Sequence, residues 1–220
     1  MIYQKFFTHL IEVIDESRSK QTLAFDSLIM DTTQVDTLPQ SKLSAALVAY
    51  GKGLRENCFY IYMSEGETYL GRDYDFDVKW FSPYLSPALQ QYLVQFSKEE
   101  KEGFQEDAGL TISSIQLARR TVWWENFSVK YPNAIIASSA KGNWRAYLAT
   151  LLEGMDNTPV IEDEKGTVSN YYKEALASLQ IKSPSSKTYK LASAYFGLLL
   201  KNDQAQADAL LKDYKSKKLI

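Results

Sequence analysis

The chain has 220 residues, 45% hydrophobic and 24% charged, with 25 Lys and Arg against 27 Asp and Glu. A net charge of -2 beside that apolar content excludes disorder as the dominant state and gives nucleic acid no global positive field to bind. The single cysteine, Cys58, excludes an intrachain disulfide, and no apolar run approaches the length of a membrane span.

Near the N-terminus, Tyr3, Phe6, Phe7, Leu10 and Ile14 mark one face of a helix that carries the lone histidine, His9. Residues 21–39 are mixed and polar, and Thr32, Thr33 and Asp36 suggest a loop. Leu43, Ala46, Leu47, Tyr50 and Leu54 predict a second helix, weakened in its last turn by Gly51 and Gly53. The stretch from Phe59 to Trp80 lacks helical spacing. Tyr60, Ile61 and Tyr62 form a short apolar run, and Ser64-Glu65-Gly66-Glu67 reads as a turn. Polar and apolar residues then alternate from Asp73 to Trp80, so a small β-hairpin or extended segment is expected near residues 59–80.

After Pro83 the helical signals return. Ser86 precedes Pro87 as a cap, and Leu89, Tyr92, Leu93 and Phe96 line one face. Ser97 and Glu100 have capping-box spacing and predict a restarted short helix ending at Gly103. Ser113 and Gln116 open a long helix that Pro132 stops. Trp144, Tyr147, Leu148, Leu151, Leu152 and Met155 form a stripe ended by Asp156-Asn157-Thr158-Pro159. A charged loop over Glu162 to Gly166 follows. Val168, Tyr171, Tyr172, Ala175, Leu176 and Leu179 then predict a helix ending before Pro184. Helices near Tyr189 to Leu200 and Ala205 to Tyr214 close the chain, the last opened by Asp203 and Gln206. These elements predict a mainly all-α chain, a compact bundle of seven or eight helices without a fixed-period repeat. One domain over 1–220 is expected, with a division near residue 80 into 1–80 and 81–220 as the alternative.

Two groups of residues carry chemical interest. In an extended segment Asp73, Asp75 and Asp77 share one face. A calcium loop fails there, because Val78 and Tyr84 stand where its glycine and bidentate glutamate belong. The three acids read instead as a solvated edge or as contacts for a partner's lysines. On the long helix, Arg119 and Arg120 fall within an apolar arc containing Trp123 and Trp124. Each arginine stands four residues before an indole it can reach, and a buried arginine requires a carboxylate partner. Arg119 is expected to be buried in such a pair, inside the fold or in a pocket for an anion. The lysines Lys212, Lys215, Lys217 and Lys218 read as a solvated helix end.

Motifs for catalysis are missing. No phosphate-binding glycine loop, dinucleotide turn or nucleophile elbow occurs, and His9 and Cys58 have no partners that would make them reactive. The sequence implies no cofactor, no metal and no catalytic residue. Its expectation is a non-catalytic helical interaction protein of bacterial-cytoplasmic type, an adaptor or immunity-like chain whose partner is another protein, with neither nucleic acid nor membrane involved. The alternative is a small-molecule-binding protein or enzyme with a pocket around Arg119, Arg120 and Trp124.

Overall fold

The computed structural model describes residues 45–64, 67–164 and 166–220. The expected helix with His9, the loop over 21–39 and the start of the second helix lie outside these residues. The described chain is mainly helical, with eight α-helices and only short antiparallel strand pairs. No helix among the described residues is long and apolar enough to cross a membrane. The chain divides between Tyr84 and Leu85 into two compact units.

The described part of the first unit begins with α1 (Ala45–Glu56), which continues through Gly51 and Gly53. A hairpin follows, β1 (Phe59–Ser64) against β2 (Glu67–Arg72), registered from Phe59 opposite Arg72 to Ser64 opposite Glu67. Cys58 joins α1 to the hairpin at a φ of 65°, and it is buried beside Phe59. Burial pushes its thiol pKa up, and the charge of Asp77 adds to the effect. Such a thiol stays protonated and behaves as a small core hydrophobe.

The period-two alternation after Arg72 does not form a strand. Tyr74–Trp80 is a helix, α2, and Asp73 is its N-cap, accepting the Asp75 N–H at 3.0 Å. Seven residues satisfy both periods, since Tyr74 and Val78, like Phe76 and Trp80, are also four apart. The capping aspartate and the acids of the first turn favour the helix. A 3-10 turn, Ser82–Tyr84, ends this unit.

The second unit holds α3 (Pro87–Glu102), α4 (Ser114–Lys130), α5 (Ala137–Glu153), α6 (Asn170–Lys182), α7 (Lys187–Leu199) and α8 (Gln204–Ser216). Local chemistry sets the ends. Ser86 caps α3 ahead of Pro87, Ser113 and Gln116 form a complete capping box on α4, and Asp203 caps α8. Ser97 does not restart a helix. It is buried in an uninterrupted α3 that runs to a glycine cap at Gly103. One core, from Ala88 to Tyr214, is shared by the six helices.

Two connections in this unit are built alike. Both α3 and α5 end at a glycine of positive φ, Gly103 at 71° and Gly154 at 76°. A miniature hairpin follows each. β3 (Gln105–Glu106) pairs with β4 (Gly109–Leu110), and β5 (Gly154–Met155) pairs with β6 (Thr158–Pro159). The hairpins dock on one another, Asn157 N–H donating to Ala108 O at 2.9 Å and Leu110 N–H to Thr158 Oγ1 at 2.8 Å. A capping serine, Ser113 or Ser169, then opens the next helix. The docked hairpins define one end of the unit. The opposite end carries the connections from α4 to α5 and from α6 to α7.

Gly154 and Gly142 have opposite prospects. A Cβ on Gly154 would meet Thr158 O and Val160 N at 2.9 Å, and its φ is left-handed. Gly154→Ala is expected to destabilise by on the order of 1–3 kcal/mol. Gly142 lies inside α5 with nothing within 4 Å of a new Cβ, so Gly142→Ala should add about 0.5–1 kcal/mol. Urea denaturation of the two variants tests this, and equal midpoints would contradict it.

Candidate functional site

The three aspartates do not share a face. Asp73 caps α2, Asp75 is exposed, and Asp77 is fully buried in an ion pair with Arg72 of β2. The Arg72 guanidinium also lies 5.0 Å from the Tyr74 ring centroid. Asp77 therefore joins the hairpin to α2. A buried carboxylate is tolerable when charge and hydrogen bonds meet it in this way.

The arginines also separate. Arg119 is exposed, with half of its side chain accessible, and among the described residues it reaches Glu102 at 3.4 Å. Arg120, one residue on and about 100° round the helix, is fully buried. The expectation of a buried Arg119 is thus corrected, and the buried member of the pair is its neighbour. Both reach Glu102 of α3, but Arg120 also meets the Gly103 and Glu99 carbonyl oxygens and the Tyr147 hydroxyl, which hold it inside.

Around Arg120 the terminal donors of the guanidinium are occupied. Nη1 donates to Gly103 O at 2.8 Å and to Tyr147 Oη at 3.3 Å. Nη2 donates to Glu102 Oε2 at 2.9 Å and to Glu99 O at 3.5 Å. Among the described residues only its Nε–H, of the five donors, lacks an acceptor. Glu99 is buried beside it. Its carboxylate accepts the Trp124 indole N–H at 3.0 and 3.1 Å and the Tyr147 hydroxyl at 2.9 Å. Burial, followed by the charge of Glu99, pushes the Tyr147 phenol well up. Tyr147 therefore remains a proton donor to Glu99 while accepting from Arg120.

Aromatic rings close the cluster. Trp124 meets Trp123 edge-on at 4.7 Å and Tyr92 at 5.3 Å, and Trp123 stacks on Phe127 at 5.2 Å. Neither arginine lies over an indole. The cation–π pairs of the described residues use Arg72, Lys79, Lys130 and Lys187 instead. The fold thus brings Arg120, Trp123 and Trp124 together, leaves Arg119 on the rim, and draws in Glu99, Glu102 and Tyr147, which the sequence reading had not selected. A signal for Glu99 was present. It extends the apolar face Leu89, Tyr92 and Phe96 by three residues, and an acid on such a face implies a buried partner.

Chemically the cluster is closed. Apart from the Arg120 Nε–H, its cation and its buried carboxylate are met by one another's neighbours, so it ties α3 to α4 and α5. No group of three His, Cys, Asp or Glu suited to a metal ion occurs among the described residues. Comparison with protein families, with curated proteins and with solved structures finds no match for the chain.

Removing the buried cation strands Glu99 and Glu102, so Arg120→Ala should cost roughly 3–5 kcal/mol, whereas exposed Arg119→Ala should cost about 1 kcal/mol or less. Equal unfolding midpoints for the two would refute the assignment. Partial burial pushes the Glu102 carboxyl up, but the hydrogen bond and charge of Arg120, with Arg119 and Lys98, hold it below its usual range. A folded value below the unfolded one, about 4.3, means that its contribution is complete above that pH and lost as pH falls through the folded value. Glu102→Gln should therefore flatten the loss of stability below about pH 4, read by denaturation at a series of pH values.

Proposed function

We propose that the chain is a non-catalytic helical interaction protein that works in the cytoplasm as an adaptor or immunity-like binder of another protein. The observation that supports it is the internal use of the arginine, carboxylate and indole groups. A ligand pocket at Arg119, Arg120 and Trp124 would need donors left open to an incoming molecule, and Arg120 and Trp124 direct theirs inward. Large apolar side chains are meanwhile left outside, among them Tyr84 at 87%, Ile181 at 80%, Ile135 at 78% and Val129 at 75% exposure. Exposed groups of this kind are the ordinary material of protein interfaces. Cys58, buried and protonated, is in keeping with a reducing compartment.

Native mass spectrometry of the chain isolated gently from its own cell tests this reading. A complex with another protein, and no small-molecule mass on the free chain, is expected. A stoichiometric metabolite adduct on the isolated chain, without any protein complex, would overturn it.

A further inference from the structure

The binding reading can be carried to a particular face of the second unit, and the following rests on that reading. Acids in this unit are spaced unevenly along the chain. No Asp or Glu occurs between Asp77 and Glu99, between Glu125 and Glu153, or between Glu174 and Asp203. These three stretches contain the start of α3, the end of α4, the start of α5, the end of α6 and the start of α7, all of which lie away from the hairpins. Their proximity is fixed by hydrogen bonds. Gln91 of α3 donates to Tyr131 Oη at 2.8 Å, and Glu125 of α4 accepts the Lys187 and Thr188 N–H groups at 2.6 and 2.8 Å. Glu125 is thereby engaged in capping α7. Acids collect at the hairpin end instead, on Glu106, Asp107, Asp156 and the loop from Glu162 to Glu164.

Helices α4 and α6 also end alike. One reads Phe127-Ser128-Val129-Lys130-Tyr131-Pro132 and the other Leu179-Gln180-Ile181-Lys182-Ser183-Pro184. Phe127 and Leu179 are buried, while Val129 and Ile181 stand out at 75% and 80% exposure. The two helices start side by side, Ser114 Oγ donating to Glu174 Oε2 at 3.0 Å and Tyr171 Oη to Ile112 O at 2.8 Å. They run in the same direction, so both tips point away from the hairpins, with α4 reaching further than α6. Ile135, 78% exposed, lies in the connection between α4 and α5. Lysine at a helix C-terminus is accounted for by the macrodipole. The aliphatic residues are not, because β-branched side chains are mediocre helix formers and these bury little.

From this we infer that the end of the unit away from the hairpins is a docking face for an acidic protein surface. Val129, Ile135 and Ile181 supply its apolar centre, and Lys130, Lys182 and Lys187 its charged rim. Charge complementarity selects the partner, since the face offers exposed lysines and the carboxylate beside them, Glu125, is engaged by the N–H groups of α7. An apolar centre is foreign to phosphate-backbone recognition, which favours a protein over nucleic acid. Membrane-surface elements insert Trp, Phe and Leu. Here the projecting residues are β-branched, and Tyr131 is tied to Gln91.

The test places a photoreactive benzoylphenylalanine at Ile181 or, as a control at the hairpin end, at half-exposed Ile115, in the full chain in its native cell. The expected product is a protein adduct from position 181 whose crosslinked segment is rich in Asp and Glu. It should fall at least tenfold when Lys130→Glu and Lys182→Glu are combined, with the melting temperature of the variant confirming that it folds. An adduct that survives charge reversal, or one to lipid, nucleic acid or a second copy of this chain, overturns the proposal. A protein adduct from position 115 alone overturns this face and leaves the binding role standing. Absence of protein adducts from both positions counts against both.

Discussion

A fully buried guanidinium sets the terms for the second unit. Water would solvate Arg120 far better than a helix interface does, so the fold must return carboxylate, carbonyl and hydroxyl oxygens to it from three directions. This requirement places Glu102 and Gly103 at the end of α3, and Tyr147 at a fixed height on α5. It also explains why α3 runs unbroken past Ser97. A helix restarted there would turn Glu99 and Glu102 away from the cation they neutralise. The glycine cap at Gly103 contributes twice, as a residue that tolerates a φ of 71° and as a carbonyl for Arg120.

The same requirement bears on function. Polar groups that converge inside a protein resemble a binding site until their partners are identified. In this cluster every Arg120 donor but one meets an oxygen of the fold, and the exception is the Nε–H. On the proposed reading, recognition is left to the surface, where charge and exposed aliphatic groups are distributed unevenly. Acids gather around the docked hairpins, on Glu106, Asp107, Asp156 and Glu162 to Glu164, while the tips of α4 and α6 carry lysines beside unburied β-branched residues. A net charge near zero conceals this separation entirely.

Much of the architecture was legible because helix ends are chemically marked. Ser86 with Pro87, Ser113 with Gln116, and Asp203 with Gln206 stand where the helices begin, and Gly103, Pro132 and Pro184 stand where they stop or just beyond. Two features were not legible, for different reasons. Asp73–Trp80 is too short for its periodicity to choose between helix and strand, and the outcome rests on a single capping hydrogen bond and the acids beside it. Arg119 and Arg120 are adjacent and chemically identical, so only the partner helix distinguishes them. Its carboxylates lie 17 to 21 residues earlier in the chain, beyond the reach of local pattern. The paired tips of α4 and α6 became comparable only after both helices had been placed side by side. Their spacing from the capping serines differs, which hides the correspondence from any search for a constant period.

The four tryptophans are distributed so that the protein reports on itself. Trp80 belongs to the first unit and is about half exposed, whereas Trp124 and Trp144 are buried in the second, one bonded to a carboxylate and the other to Thr188. Trp123 lies partly covered between them in environment. Indole emission depends on water contact, so the native spectrum is a superposition of a red component from one unit and bluer components from the other. A small neutral quencher would reach the first while sparing Trp124 and Trp144. The two units therefore carry separate optical labels, supplied by the chain without any dye.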